Sequence, residues 1–123
     1  MKVCISGSRS IRTLPAAALA RLDTILSLGA SVLIGDEPSG VDTLVQRVLA
    51  ARGYQAVTVW HRGAAPRSNV GGWPTRAVAG SYTDRDRAMC ADAEYGLAVW
   101  DGRSPGTARN IRQLGERMRV VRP

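Results

Sequence analysis

The chain has 123 residues and an apolar fraction of 45%, which suits one domain with one core and excludes a disordered chain. Its apolar runs are too short to cross a bilayer, and it opens on no charged-then-apolar leader, so the expectation is a single soluble domain over 1–123, cytoplasmic and without membrane contact. The formal charge is +7, carried almost wholly by arginine, with Lys2 the only lysine; the arginines are scattered from Arg9 to Arg122 without a contiguous run, which makes charge alone a weak pointer to nucleic acid.

Strand and helix patterns alternate from the start. Lys2 to Ser6 reads as a buried strand, followed by the loop Gly7-Ser8-Arg9-Ser10. Thr13 to Leu28 reads as a helix, with Pro15 in its first turn, Ala18, Leu22, Ile25 and Leu26 on one face, and Gly29 as its stop. Ser31 to Ile34 is a second strand, and Gly35 to Gly40 a polar loop. Val41, Leu44, Val45, Val48 and Leu49 then recur at helical spacing, the clearest stripe in the chain. Ser39 with Asp42 has the spacing of a capping box, and Gly53 ends that helix. Gln55 to Trp60 is a third strand. Residues 61–80 hold several glycines and prolines and no sustained period. They read as a long functional or mobile loop, with a short helical turn around Trp73 to Ala79. Thr83 to Ala93 reads as a helix capped by Thr83 with Asp86, Tyr95 to Trp100 as a fourth strand, Asp101 to Gly106 as a turn-rich loop, Ile111 to Met118 as a helical face, and Arg119 to Arg122 as a last strand.

Such alternation implies an α/β fold: one Rossmann-like domain with about five parallel strands between helices. Ligands of such sheets bind outside the carboxyl ends of the strands, near the switch in strand order. The loops after strands one, two and four are therefore the first places to look.

The loop Trp100-Asp101-Gly102-Arg103-Ser104-Pro105-Gly106-Thr107 carries the strongest local signal. Ser104 suits an N-cap and Pro105 the first helical position. Gly106 permits close backbone approach, and the free N–H groups with the helix dipole form an anion site, to which Ser104 and Thr107 add hydroxyls. A capped helix that binds nothing explains the same residues. In the first loop, Gly7 and Ser8 can cradle a phosphate and Arg9 can pair with it; the spacing is neither a P-loop nor GxGxxG. In the second loop, Gly35 and Gly40 allow close approach, and Asp42 accepts either from ribose hydroxyls or from its own helix start. Arg85 shares a helix face with Met89 and Asp92, and is either a phosphate or base contact or a solvated first-turn charge. His61 reads as a surface residue at a strand end, and Trp60, Trp73 and Trp100 as core residues or stacking platforms. Cys4 and Cys90 form no CxxC, and with one histidine in the chain no zinc site is expected. They read as buried thiols. No metal and no separate cofactor is called for.

Taken together, Ile5-Ser6-Gly7-Ser8-Arg9, Gly35…Ser39-Gly40-Val41-Asp42, Arg85-Asp86-Arg87-Ala88-Met89 and Trp100 to Thr107 resemble the SLOG superfamily of small Rossmann-like proteins, nearest its YspA-related branch. That group includes the LOG-type proteins and the DNA-processing protein of natural transformation. The resemblance implies a site for a nucleotide or nucleotide derivative across the strand ends, and a homo-oligomer. It implies phosphate contacts from Ser8, Arg9, Ser104, Gly106 and Thr107, a ribose contact from Asp42, a base or second-phosphate contact from Arg85 and the 61–80 loop, and further nucleotide contacts from Gly7, Gly35, Gly40 and Gly102. LOG-type enzymes hydrolyse the N-glycosidic bond of a nucleoside monophosphate. Their phosphate loop PGGxGTxxE is matched here in its Gly-Thr part, Gly106-Thr107. Arg109 and Asn110 stand where two carboxylates follow in that family, so catalysis would fall to Asp42 or Asp101. The alternative readings are a single-stranded nucleic-acid binder and an interaction module with a vestigial site.

Overall fold

Successive residues of the central strands are all buried, Val3, Cys4 and Ile5 among them, and a strand buried on both faces needs helices on both sides of its sheet. The computed structural model describes residues 1–123. In chain order it contains β1 (Lys2–Gly7), α1 (Ala16–Ser27), β2 (Ser31–Gly35), α2 (Val41–Ala51), β3 (Val57–His61), β4 (Thr75–Ala77), α3 (Tyr82–Asp92), β5 (Tyr95–Val99), α4 (Pro105–Leu114), a 3₁₀ turn (Gly115–Arg117) and β6 (Met118–Val121). The six strands form one sheet in the order β4-β3-β2-β1-β5-β6, parallel at every pairing. This is a single Rossmann-like α/β architecture, as the alternation predicts.

The period of two along each strand divides the core. Val3, Ile5, Val32, Ile34 and Val59 pack on one face against Ala18 and Leu22 of α1 and Val41, Val45 and Leu49 of α2. Cys4, Leu33, Trp60 and Ala98 pack on the other against Met89 and Cys90 of α3 and Leu114 of α4. No helix is long and apolar enough to cross a membrane.

The sheet has six strands where about five are expected, and the extra one lies where a helical turn is expected, at Trp73 to Ala79. Thr75, Arg76 and Ala77 are all exposed, so no apolar alternation marks them as a strand. β4 is an edge strand held by backbone pairing to β3, Val59 opposite Thr75. Its course is set by Trp73, which is buried in the first core and donates its indole N–H to the Tyr54 carbonyl at 2.8 Å. The preceding loop is built around the buried Gln46 of α2. Its amide nitrogen donates to the Gly35 and Ser68 carbonyls at 3.0 and 3.1 Å, and its amide oxygen accepts from the Val70 N–H at 2.9 Å.

Three helix starts differ from expectation. α1 begins at Ala16 because Pro15 sits in an extended conformation as its N-cap. α3 begins two residues after Gly80, with Ser81 and Asp84, not Thr83 and Asp86, forming a reciprocal capping box. That leaves Asp86 for another use. At α2 the N-cap is Gly40, without a side-chain cap, so Ser39 and Asp42 form no capping box.

Gly40 is a joint of backbone against backbone. Its φ is +82°, and a Cβ there would collide with the Ser8 carbonyl oxygen and the Arg9 Cα. The start of α2 thus lies directly against the loop after β1, where Val41 N–H donates to the Ser8 carbonyl at 3.3 Å. Gly40→Ala is expected to lower the unfolding free energy by about 2 kcal/mol or more, from strain plus the forced separation of the two segments. A urea titration reads it, and an unchanged midpoint contradicts it.

Candidate functional site

Strand order reverses at β1, which pairs with β2 on one side and β5 on the other. The chain leaves these two strands toward opposite faces, and a crevice opens between the departing loops. Here it is a cavity of about 350 Å³. Ser6 to Arg9 line it from β1, Asp42 from α2, Tyr82, Arg85, Asp86 and Met89 from α3, and Ser104 to Thr107 with Arg109 and Asn110 from α4.

The two loops are joined to one another. Ser8 N–H donates to the Val99 carbonyl at 3.0 Å, and Ser8 Oγ accepts from the Asp101 N–H at 2.9 Å. Gly7 makes this possible, since a Cβ there would stand 2.5 Å from both Val41 Cγ2 and the Val99 carbonyl oxygen. Asp101 braces the second loop. Its carboxylate accepts from the Ser104 and Arg103 N–H groups, both at 2.8 Å, and from the hydroxyls of Ser10 at 2.7 Å and Ser104 at 2.9 Å. The Ser104 backbone bond, then those from Ser10 and Arg103, hold its acidity well below the usual carboxylate range.

The Ser104 hydroxyl is therefore turned to Asp101 and not to α4. Ser104 is the N-cap with Pro105 in the first turn, and no side chain caps the helix. An uncapped helix start carries unsatisfied N–H groups and the positive end of the dipole. At the end of β1, Ser6 Oγ is buried with no hydrogen-bond partner in the protein, and its residue also lines the cavity. A buried hydroxyl without a partner costs on the order of 1–3 kcal/mol, and a polar ligand would relieve that cost.

Beneath the cavity lies a buried charge cluster. Arg85 is expected either on a ligand or in solvent; its side chain is 7% exposed and is held by carboxylates. It contacts Asp36 at 2.7 Å and Asp86 at 2.8 Å. Arg67, from the 61–80 segment, contacts Asp36 at 2.9 Å and Glu37 at 3.2 Å and lies 4.0 Å from the centre of the Tyr82 ring. Burial pushes the Asp36 carboxyl up, but the hydrogen bonds and charge of Arg67, with the charge of Arg85, outweigh it and leave Asp36 below its ordinary value. Asp42 is the opposite case. Burial dominates, and the carboxyl is pushed up to about 7, despite the opposing Arg85 charge and the hydrogen bond from the Glu37 N–H at 3.2 Å. Gly35 supports both groups from below: a Cβ there would stand 2.5 Å from Asp42 Oδ2 and 2.9 Å from Arg85 Nη2.

The structure thus brings Gly7, Ser8, Arg9, Asp42, Arg85, Ser104, Gly106 and Thr107 into one lining. Gly35 lies under it and Gly40 beside it. Gly102 and Asp101 are outside it; Gly102 is covered by the Arg122 guanidinium. His61 is buried, not a surface residue. Trp60 and Trp73 belong to the two cores, and Trp100 donates to the Ser104 carbonyl at 3.1 Å, so none of these aromatics lines the cavity. Cys4 and Cys90 are buried with their sulfurs 3.9 Å apart. No group of three or more His, Cys, Asp or Glu side chains is placed to hold a metal ion. Asp36, Glu37, Arg67 and Tyr82 are contributors that sequence patterns do not single out, and Ser6 enters there only as part of the first motif. No family model, curated protein or solved structure matches the chain.

The state of Asp42 has a measurable consequence. In the unfolded chain it loses its proton near pH 4; in the folded chain it does so near 7. Between those values the native state holds a proton the unfolded state lacks, so this group's contribution to stability is lost as pH rises across the window. The unfolding free energy of the wild type minus that of Asp42→Asn should fall by about 2–3 kcal/mol from about pH 5 to about pH 8. A pH-independent difference contradicts the assignment.

Proposed function

We propose that the switch-point cavity binds a nucleotide or nucleotide derivative. The uncapped start of α4 at Gly106 and Thr107 receives the phosphate, with Ser8 and Arg9 facing it from the β1 loop. Helix N–H groups suit phosphate oxygens through both hydrogen bonds and dipole, and an arginine adds a charge-assisted contact. Asp42 accepts from a ribose hydroxyl. The observation that carries this reading is the meeting of the uncapped helix start and the unpartnered Ser6 hydroxyl in one cavity at the β1/β5 switch. A volume of about 350 Å³ falls in the range of small-molecule sites. The likeness to the SLOG superfamily favours a nucleotide over other anions.

One further observation favours an enzyme over a sensor. Asp42 lines the cavity and stands at about 7, the range in which a carboxyl can both take and give a proton. Cleavage of an N-glycosidic bond needs such a group to activate water or to stabilise positive charge on the ribosyl ring. Arg109 and Asn110 line the cavity without a carboxylate to offer, and the Asp101 oxygens are committed to their own loop and to Ser10.

Thermal shift with nucleoside monophosphates of the four bases, NAD and ADP-ribose tests binding. A ligand at a hundred times its Kd should stabilise the fold by about 2.7 kcal/mol, and Thr107→Val should reduce that shift. No shift with any member on folded protein contradicts the proposal. Chromatography of the incubated ligand separates the two modes, since free base appears only if the bond is cut.

A further inference from the structure

A second, larger groove of about 710 Å³ lies on the other side of the β1 loop, over the start of α2. It shares Arg9, Glu37 and Ser104 with the switch-point cavity, so the two adjoin at those residues. Arg9, Arg12 and Arg47 all line it, and none of the three takes part in an ion pair. The one carboxylate among the lining residues is Glu37. Its Oε2 is held by Arg67 and its Oε1 by the Ser39 N–H. The groove is therefore cationic, with its acid already engaged elsewhere. Ile11 and Leu44 also line it, Ile11 as a buried member of the first core and Leu44 packed against that core.

Resting on the nucleotide reading above, we infer that the ligand is a nucleoside diphosphate derivative, whose second phosphate passes Arg9 into the groove between Arg12 and Arg47. Guanidinium forks match phosphate oxygens in charge and geometry. Arg9 lines both cavities and is the natural bridge between the two phosphates. The group attached to the second phosphate, a sugar or second nucleoside, lies over the Ile11 and Leu44 side of the groove. A mononucleotide fills only the first cavity and leaves this arginine pair without a partner.

Calorimetric titration of the full chain with AMP, ADP and ADP-ribose tests this. ADP-ribose should bind more tightly than AMP. The double variant Arg12→Gln/Arg47→Gln removes two exposed side chains that the fold does not use. It should weaken ADP-ribose by at least about tenfold and change AMP by less than about twofold. Thr107→Val should weaken both. Equal affinity for AMP and ADP-ribose, or an equal loss of both in the double variant, overturns the second subsite and leaves the mononucleotide reading standing. If none of the three binds, the inference fails, and the four-base thermal-shift panel decides whether the mononucleotide reading fails with it.

Discussion

The buried contact between Asp36 and Arg85 ties the end of β2 to α3 across the carboxyl edge of the sheet. Asp36 follows β2, and Arg85 projects from α3 across the carboxyl end of the sheet, where the two meet at 2.7 Å. Neither charge is tolerable there alone, because an ion without water or partner costs several kcal/mol. Each therefore recruits a second partner, Asp86 for the guanidinium and Arg67 for the carboxylate. Through Arg67 the 61–80 segment is held against the sheet end. Through Arg85 the floor of the cavity gains a fixed positive charge beside Asp42.

The same cluster sets the chemistry above it. Asp36, Glu37 and Asp86 take the hydrogen bonds that the two guanidiniums offer. Asp42, more buried than Glu37 and Asp86, is left with a backbone N–H, and burial then favours its neutral form. One carboxyl among several is thus set apart by environment, and it lines the same cavity as the start of α4, where Glu37 and Asp86 are held by guanidiniums. Neighbouring carboxyls driven in opposite directions are a common mark of a functional site, although structural ion pairs do the same. Of the two buried polar atoms without a partner, Ser6 Oγ and Trp60 Nε1, the Ser6 hydroxyl belongs to a residue that lines the cavity.

The sheet and the two-sided core were legible because they depend on periodicity. Val3 to Ile5 and the stripe from Val41 to Leu49 carry their own evidence in spacing. The loops after β1 and β5 were legible because glycine, serine and proline mark turns and caps locally. What spacing could not show was pairing at long range. Arg85 looks like a solvated first-turn charge until Asp36, 49 positions away, is placed beside it. Thr75 to Ala77 has no pattern because an exposed edge strand buries nothing, and its pairing depends on Trp73 and on Gln46. Asp101 looks like a candidate acid in sequence, yet Ser10, from the first loop, helps turn it into a brace.

A nucleotide held at the switch-point cavity must touch the backbone of the β1 loop and the start of α4. Backbone amide shifts of the labelled chain, followed by NMR during titration with a nucleoside monophosphate, read that location directly. Saturable changes are expected at Gly7 to Arg9, Asp42 and Gly106 to Thr107, with β4 and β6 undisturbed. Saturable changes confined to other surfaces, or none at millimolar nucleotide, would contradict that placement.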